Sequence, residues 1–189
     1  MIGRGEPIPA AQVSWITVPD REISTVATAI PAGGIVLHAS GAQDFQVLRP
    51  HRPAGSLHPL MSFPGPESGM PKGVIPAAVA GDPDAIDAAQ TLAEQLGFTP
   101  FHVQGSRAAY HAAAVMAGNF ATTLLVEAGR ILSTCGIDET ESRRLLAPLA
   151  LTSLQNTVEA GSSALTGPIV RGDEQVITSH LECLSSIDP

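Results

Sequence analysis

The stretch VSWITVPDREISTVATAIPAGGIVLHASG, Val13–Gly41, decides the fold. Val13–Val18 (VSWITV) is apolar and rich in β-branched residues, and it ends at Pro19-Asp20, as a buried strand closed by a turn would. Asp20 stands where a helix N-cap belongs, so the spacing predicts a helix over Arg21–Ile30. Pro31–Gly34 reads as a turn, and Ile35–Ala39 (IVLHA) as a second apolar strand that stops at Ser40-Gly41. Strand, helix, strand in near-continuous apolar runs marks an α/β layer built on a mostly parallel sheet.

The pattern extends towards the C-terminus. After a Pro/Arg-rich connection, Ser56–Leu60 (SLHPL) reads as a third strand, and Pro64–Pro76 as a proline- and glycine-rich loop. Ala77–Ala80 is a fourth strand, Asp82-Pro83 opens a helix to Leu96 that Gly97 stops, and Thr99–Val103 is a last strand. The chain then changes character. Ser106 to about Thr134 is one long helical stretch, and Gly136 breaks it. Asp138 with Glu141 forms a capping-box pattern for a helix over Glu139–Ala160, within which Pro148 predicts a kink. Gly161–Pro168 is a loop, and Asp173 caps a final helix through Leu184. The boundary falls near Gly105, dividing a sheet layer over 1–105 from an all-α part over 106–189.

Composition narrows the function classes. Only 15% of the 189 residues are charged and 44% are hydrophobic, against about a quarter charged in ordinary soluble proteins, which points to extensive burial within or between subunits. A formal net charge of −8 argues against nucleic acid, whose binding depends on Lys and Arg releasing counterions. Cys135 and Cys183 are far apart with no Cys-x-x-Cys spacing, and His38, His51, His102 and His180 show no paired ligand spacing, so no metal site is expected. The N-terminus carries no apolar signal region. Ala108–Val126 lacks Asp, Glu, Lys and Arg over nearly the length of a membrane span. Tyr110, His111, Asn119, Thr122 and Thr123 within it favour a core helix over a transmembrane one, so the expectation is a cytoplasmic protein that does not enter a membrane.

Five segments in one order, WITVPD (Trp15–Asp20), LHASGA (Leu37–Ala42), GSLHPLMSF (Gly55–Phe63), YHAAAVMAGN (Tyr110–Asn119) and ALTGPIVRGD (Ala164–Asp173), resemble a known family. They are similar to the Rossmann-like proteins with a C-terminal domain of unknown function, grouped with pyrroline-5-carboxylate reductase and 6-phosphogluconate dehydrogenase. The resemblance covers about Gly3 to Leu184. It implies that 1–105 is a partial Rossmann-like domain and that 106–189 is a helical domain serving dimerisation and the substrate side. Such proteins open with a strand, a Gly-x-Gly-x-x-Gly turn and a helix that receives a pyrophosphate. Here Gly3-Arg4-Gly5 follows no strand and leads to Pro7 and Pro9, and no Gly-x-Gly-x-x-Gly occurs elsewhere.

The resemblance also implies roles for particular residues. Val18, Pro19, Ser40 and Gly41, at strand ends, would face the nicotinamide of NADP or NAD; Pro19-Asp20 and Ser40-Gly41 also suit plain turns. His58, before Pro59, would be a general acid or base reachable by substrate, or a turn residue. His111 and Asn119 lie eight residues apart on the long helix, about 12 Å of rise, so they can border one cleft without gripping one atom. The lysine that related dehydrogenases carry on this helix is absent here, with Val115 four residues after His111. Arg171 and Thr166 would bind a substrate carboxylate or phosphate, or Arg171 would pair with Asp173 to close its loop.

Two functions follow from this reading. One is an NAD(P)-dependent oxidoreductase acting on a small carboxylate or imine substrate, with His58, His111 and Asn119 beneath the nicotinamide. The other is a non-catalytic binding or dimerisation module built on the same scaffold. A homodimer is expected in either case. The Rossmann strand order makes Val13–Val18 an edge, to be covered by another chain or by a segment preceding Met1.

Overall fold

The computed structural model describes residue 3, residues 5–63 and residues 65–187. The chain forms two compact units, Met1–Met116 and Ala117–Pro189. The division falls inside the long helical run, because the first turns of that run pack on the sheet.

Five strands build the first unit: β1 (Val13–Ile16), β2 (Ile35–His38), β3 (Ala54–Pro59), β4 (Pro76–Gly81) and β5 (Thr99–His102). They lie in sequence order, with β1 at one edge and β5 at the other. β1, β2 and β3 are parallel, β3 and β4 antiparallel, and β4 and β5 parallel. The sheet is thus mostly parallel, as the apolar runs predict. The exception has a local cause. Parallel neighbours need a crossover connection, whereas β3 is followed by the Pro/Gly-rich loop, whose only regular element among the described residues is a short 3₁₀ turn, Pro66–Ser68.

Strand alternation gives the sheet two different faces. Ile16, Val36 and Ala54 on one face pack with Ile23 and Ala27 of α1 (Ile23–Ala29), together with Ile30 and Leu48. On the opposite face Leu37, Leu57, Ala77 and Val79 meet Ala85, Ala89 and Ala93 of α2 (Pro83–Gln95). That four-residue spacing turns one small-residue stripe of α2 towards the strands. Gly55 completes the fit, since a Cβ there would stand 2.8 Å from the Ala80 carbonyl oxygen and 3.1 Å from the Ala85 Cβ. Leu37 and Leu57 are fully buried, and each such side chain contributes roughly 1.5–3 kcal/mol.

Two aspartates at predicted helix starts are used differently from expectation. Asp20 does not cap the first helix with its side chain: a 3₁₀ turn, Asp20–Glu22, precedes α1, and Pro19 occupies its N-cap position. Asp82 precedes α2 but makes no capping bond either. Its carboxylate receives Arg49 Nη1 and Nη2 at 2.9 and 3.0 Å and the Ala54 backbone N–H at 2.9 Å. This fork ties the β2–β3 connection to the start of α2, and it holds the Asp82 carboxyl at about 2, below its usual 3.8.

α3 (Arg107–Val115) ends the first unit, with Ser106 Oγ accepting from Ala109 N at its start. A π-helical turn, Met116–Phe120, leads into α4 (Ala121–Ser133). The predicted single helix is therefore continuous but widened for one turn.

In the second unit α4 packs along α5 (Glu139–Ala160), which includes Pro148. Asp138 caps α5 as predicted, accepting from Thr140 N and Glu141 N. The unit closes with α6 (Pro168–Arg171) and α7 (Glu174–Ile187). α5 leaves Leu145, Leu149, Leu151, Leu154 and Val158 exposed.

Candidate active site

The site lies on the α1 side of the sheet, at the ends of β2 and β3. Register places Ile16, His38, Ser56 and Ala80 in one row across four strands. Two residues further along β3, on the same face, stands His58.

The turn after β2 is held by Ser40. Its hydroxyl donates to Asp20 Oδ2 at 2.8 Å and accepts from the backbone N–H groups of Ala42 and Gln43 at 3.1 and 2.9 Å. The Ser40 backbone N–H donates to His38 Nδ1 at 3.1 Å. That bond assigns the neutral His38 proton to Nε2, which is buried and without an acceptor among the described residues. The imidazole is fully buried, and this burial foremost, then the Arg107 charge, lowers its pKa from 6.5 to about 4.

This turn delivers Gly41 into contact with two histidines. A Cβ on Gly41 would lie 2.8 Å from His111 Cδ2, 2.8 Å from His58 Nε2 and 2.9 Å from His58 Cε1. Only a residue without a side chain lets both imidazoles close on this backbone.

α3 supplies the rest of the cluster from its first turns. Arg107, Tyr110 and His111 share a helix face through their three- and four-residue spacing. Arg107 Nη2 donates to the Ser40 carbonyl, and its guanidinium lies 4.9 Å from the centre of the Tyr110 ring. Arg107 Nε and Nη1 are buried without an acceptor among the described residues. Tyr110 Oη is 2.6 Å from His58 Nδ1, and the two rings meet edge-on. Burial, then the Arg107 and His111 charges, lower the His58 pKa to about 4, so its imidazole is neutral at pH 7. Burial pushes the Tyr110 phenol up from its usual 10.

Beside this cluster is a cleft of about 190 Å³, lined by Arg107, Asp44, Ser56, Gly81, His102 and Val103 among others. It opens on the sheet next to Arg107.

Of the residues singled out in the sequence, Ser40, Gly41, His58 and His111 come together here. Val18 packs against the α1 core, and Pro19 begins the turn that carries Asp20. Asn119 belongs to the second unit, exposed within the π turn, its carbonyl accepting from Thr123 Oγ1. Thr166 lines an apolar groove of that unit with Leu165, Ile169, Ile177 and Leu181. Arg171 ends α6 exposed; no ion pair joins it to Asp173 among the described residues. Arg107, Tyr110, His38 and Asp20 were not picked out as site residues. The signal for the first two was present: they are polar groups on the opening turns of an otherwise apolar helix, aligned with His111.

Comparison with known proteins now decides the family. The model of the family named "Domain of unknown function (DUF2520)" matches residues 75–189. The chain belongs to the DUF2520 family. A crystal structure of a Thermotoga maritima protein is 30% identical with a TM-score of 0.79, covering 95% of this chain and 72% of that one. A Bacteroides fragilis protein described as a "putative NADP oxidoreductase" has the same TM-score at 20% identity, covering 97% of this chain and 71% of that one. The 1-pyrroline-5-carboxylate reductase of Streptococcus pyogenes shares the fold more distantly, at 12% identity and a TM-score of 0.59, covering 94% of this chain and 73% of that one. No curated protein matches the chain. This DUF2520 protein thus has a Rossmann-like α/β layer followed by a helical part, as the five segments implied.

The turn at Ser40-Gly41 stands at a strand end, and there the bare Gly41 backbone is closed over by two imidazoles. The pyrophosphate has no counterpart among the described residues, for no strand–helix turn there carries Gly-x-Gly-x-x-Gly.

Proposed function

We propose that this DUF2520 chain forms the nicotinamide-proximal, substrate-side part of an NAD(P)-dependent oxidoreductase acting on a small carboxylate or imine substrate. The observation that carries the reading is the convergence of His58 and His111 on Gly41, with Tyr110 bonded to His58, at the ends of parallel strands, where α/β sheets bind ligands. A reduced nicotinamide would supply the hydride. The protein's own groups supply orientation and protons: His58 and His111 flank the reacting atom, and Arg107 places a positive charge beside them. Arg107 is better placed than Arg171 to read a substrate carboxylate, because it borders the cleft of this unit. Val18 and Pro19 stay on the cofactor side of this reading through the neighbouring turn.

Reduced nicotinamide mononucleotide probes this end of the cofactor without needing a pyrophosphate site. Titration should perturb the amide resonances of Ser40, Gly41 and Ala42, and NADPH or NADH should do the same. No response at millimolar concentration of any of the three would sink the reading for this polypeptide.

The second reading, a binding module without catalysis, draws on the exposed leucines of α5. We propose that they lie in a homodimer interface, whether or not the chain is an enzyme. A monomeric mass by light scattering at micromolar concentration would exclude it. Arg107–Ser133 is long and apolar enough to cross a membrane by length and composition. We place it instead in a cytoplasmic protein, since Arg107, Tyr110 and His111 at its start engage the sheet-end cluster.

A further inference from the structure

We propose that Tyr110 and His58 form a two-step proton relay, in which His58 hands the proton on Nε2 to a substrate atom while Tyr110 replaces it at Nδ1. The inference rests on the oxidoreductase reading, which requires a proton donor to accompany the hydride.

The polarity of the Tyr110–His58 bond is the starting point. Tyr110 Oη and His58 Nδ1 stand 2.6 Å apart, a short hydrogen bond. The phenol is the more acidic partner even with burial raising it above its usual 10, because a neutral imidazole N–H is a far weaker acid, so the phenol is the donor. With Nδ1 accepting, the proton of the neutral ring must be on Nε2. That atom is the one packed towards Gly41 beside His111, and the oxidoreductase reading puts the substrate carbonyl oxygen or imine nitrogen at this partly exposed edge of the ring.

The step balances within the protein's own groups. The Nε2–H bond breaks as a bond from that proton to the substrate oxygen or nitrogen forms, whose electron pair has been released by hydride arriving at carbon. The Tyr110 O–H bond breaks as Nδ1–H forms, and the imidazole ends neutral with its tautomer exchanged. Tyr110 is left as a phenolate, and the relay resets when it takes the proton back from Nδ1 while Nε2 takes one from water at this half-buried position, leaving hydroxide. Arg107 meets the charge that appears: its guanidinium lies 4.9 Å from the Tyr110 ring, is fixed by the Ser40 carbonyl and has two nitrogens with no acceptor among the described residues. Tyr110 acts through His58 and is a positioning residue; His58 is the one that would touch substrate.

The test reads the tautomer directly, in the full chain and without cofactor or substrate. Two-bond nitrogen–proton correlation spectra of ¹⁵N-histidine-labelled protein at pH 7 should show His58 as the Nε2–H form. Tyr110→Phe should abolish that preference and leave His111 unchanged, and 3-fluorotyrosine at position 110, which keeps the hydroxyl, should restore it. An Nδ1–H tautomer in the wild-type protein overturns the relay whether or not the variant folds, as does an unaltered tautomer in Tyr110→Phe. The two failures are separable. A wrong tautomer removes the relay whatever the chain binds, and an Nε2–H tautomer with no response to reduced nicotinamide mononucleotide removes the oxidoreductase reading instead.

Discussion

The hydroxyl of Ser40 donates to the carboxylate of Asp20 at 2.8 Å, tying the turn after β2 to the turn after β1. The same oxygen accepts from Ala42 and Gln43, so one side chain shapes the loop that presents Gly41. Ser40→Ala leaves two backbone donors and a carboxylate short of a partner. A destabilisation of about 1–3 kcal/mol is expected, measured by urea unfolding at pH 7. A loss under about 0.5 kcal/mol would mean that water replaces the hydroxyl without cost.

Gly41→Ala should disturb both imidazoles at once. The new methyl would stand 2.8 Å from His58 and from His111, so one ring or the loop has to move. Overpacking of this kind costs about 1–3 kcal/mol. The ring resonances of His58 and His111 should shift together, while those of His180 in the second unit stay in place. Shifts confined to one of the two rings would show that Gly41 is not the shared contact.

Two histidines make the fold acid-sensitive. His38 and His58 bind protons in the folded state only below about 4, whereas an unfolded imidazole binds one below about 6.5. Between those values the unfolded chain takes up protons that the folded chain refuses, so stability falls as pH drops from 6.5 to 4 and returns as pH rises. The fully buried His38 alone accounts for up to about 3 kcal/mol across that window. His38→Gln should lower stability at pH 7 and flatten its decline towards pH 4. An equal slope in variant and wild type would locate the sensitivity elsewhere.

Asp82 predicts a second, lower window. Its carboxyl is held at about 2 by the Arg49 fork, below the 3.8 of a free aspartate, so the stabilisation is complete above 3.8 and is lost as pH falls through 2. Thermal melts of the wild type should lose midpoint temperature between pH 4 and pH 2. Asp82→Asn should melt lower at pH 7 and lose less in that interval; a parallel decline would show the fork contributes nothing to acid stability.

Most of the scaffold was legible because it depends on local pattern. Apolar runs located all five strands to within a few residues, and Asp138 marked the start of α5 correctly. Legibility failed where a side chain had a choice of partners. Asp20 and Asp82 sit in capping positions by spacing, yet Ser40 in one case and Arg49 in the other, distant in sequence, compete for the carboxylate and win. The strand-end turns, His58 and His111 are named through the family resemblance, which for the turns agrees with the rule that loops at strand ends of an α/β sheet carry ligands. Tyr110 and Arg107 share a helix face with His111, a signal legible in the sequence, but what that face meets is not. Only the register of β3 against α3 shows that His58 and Tyr110 meet.

The position of β1 has a practical consequence. Among the described residues it pairs on one side alone, with β2, and Val13 is 37% exposed. Its outer side presents backbone donors and acceptors to which an extended peptide could add as a further strand. Preparations of this chain should therefore grow more prone to association as concentration rises, and a short strand peptide supplied in trans should act as a stopper.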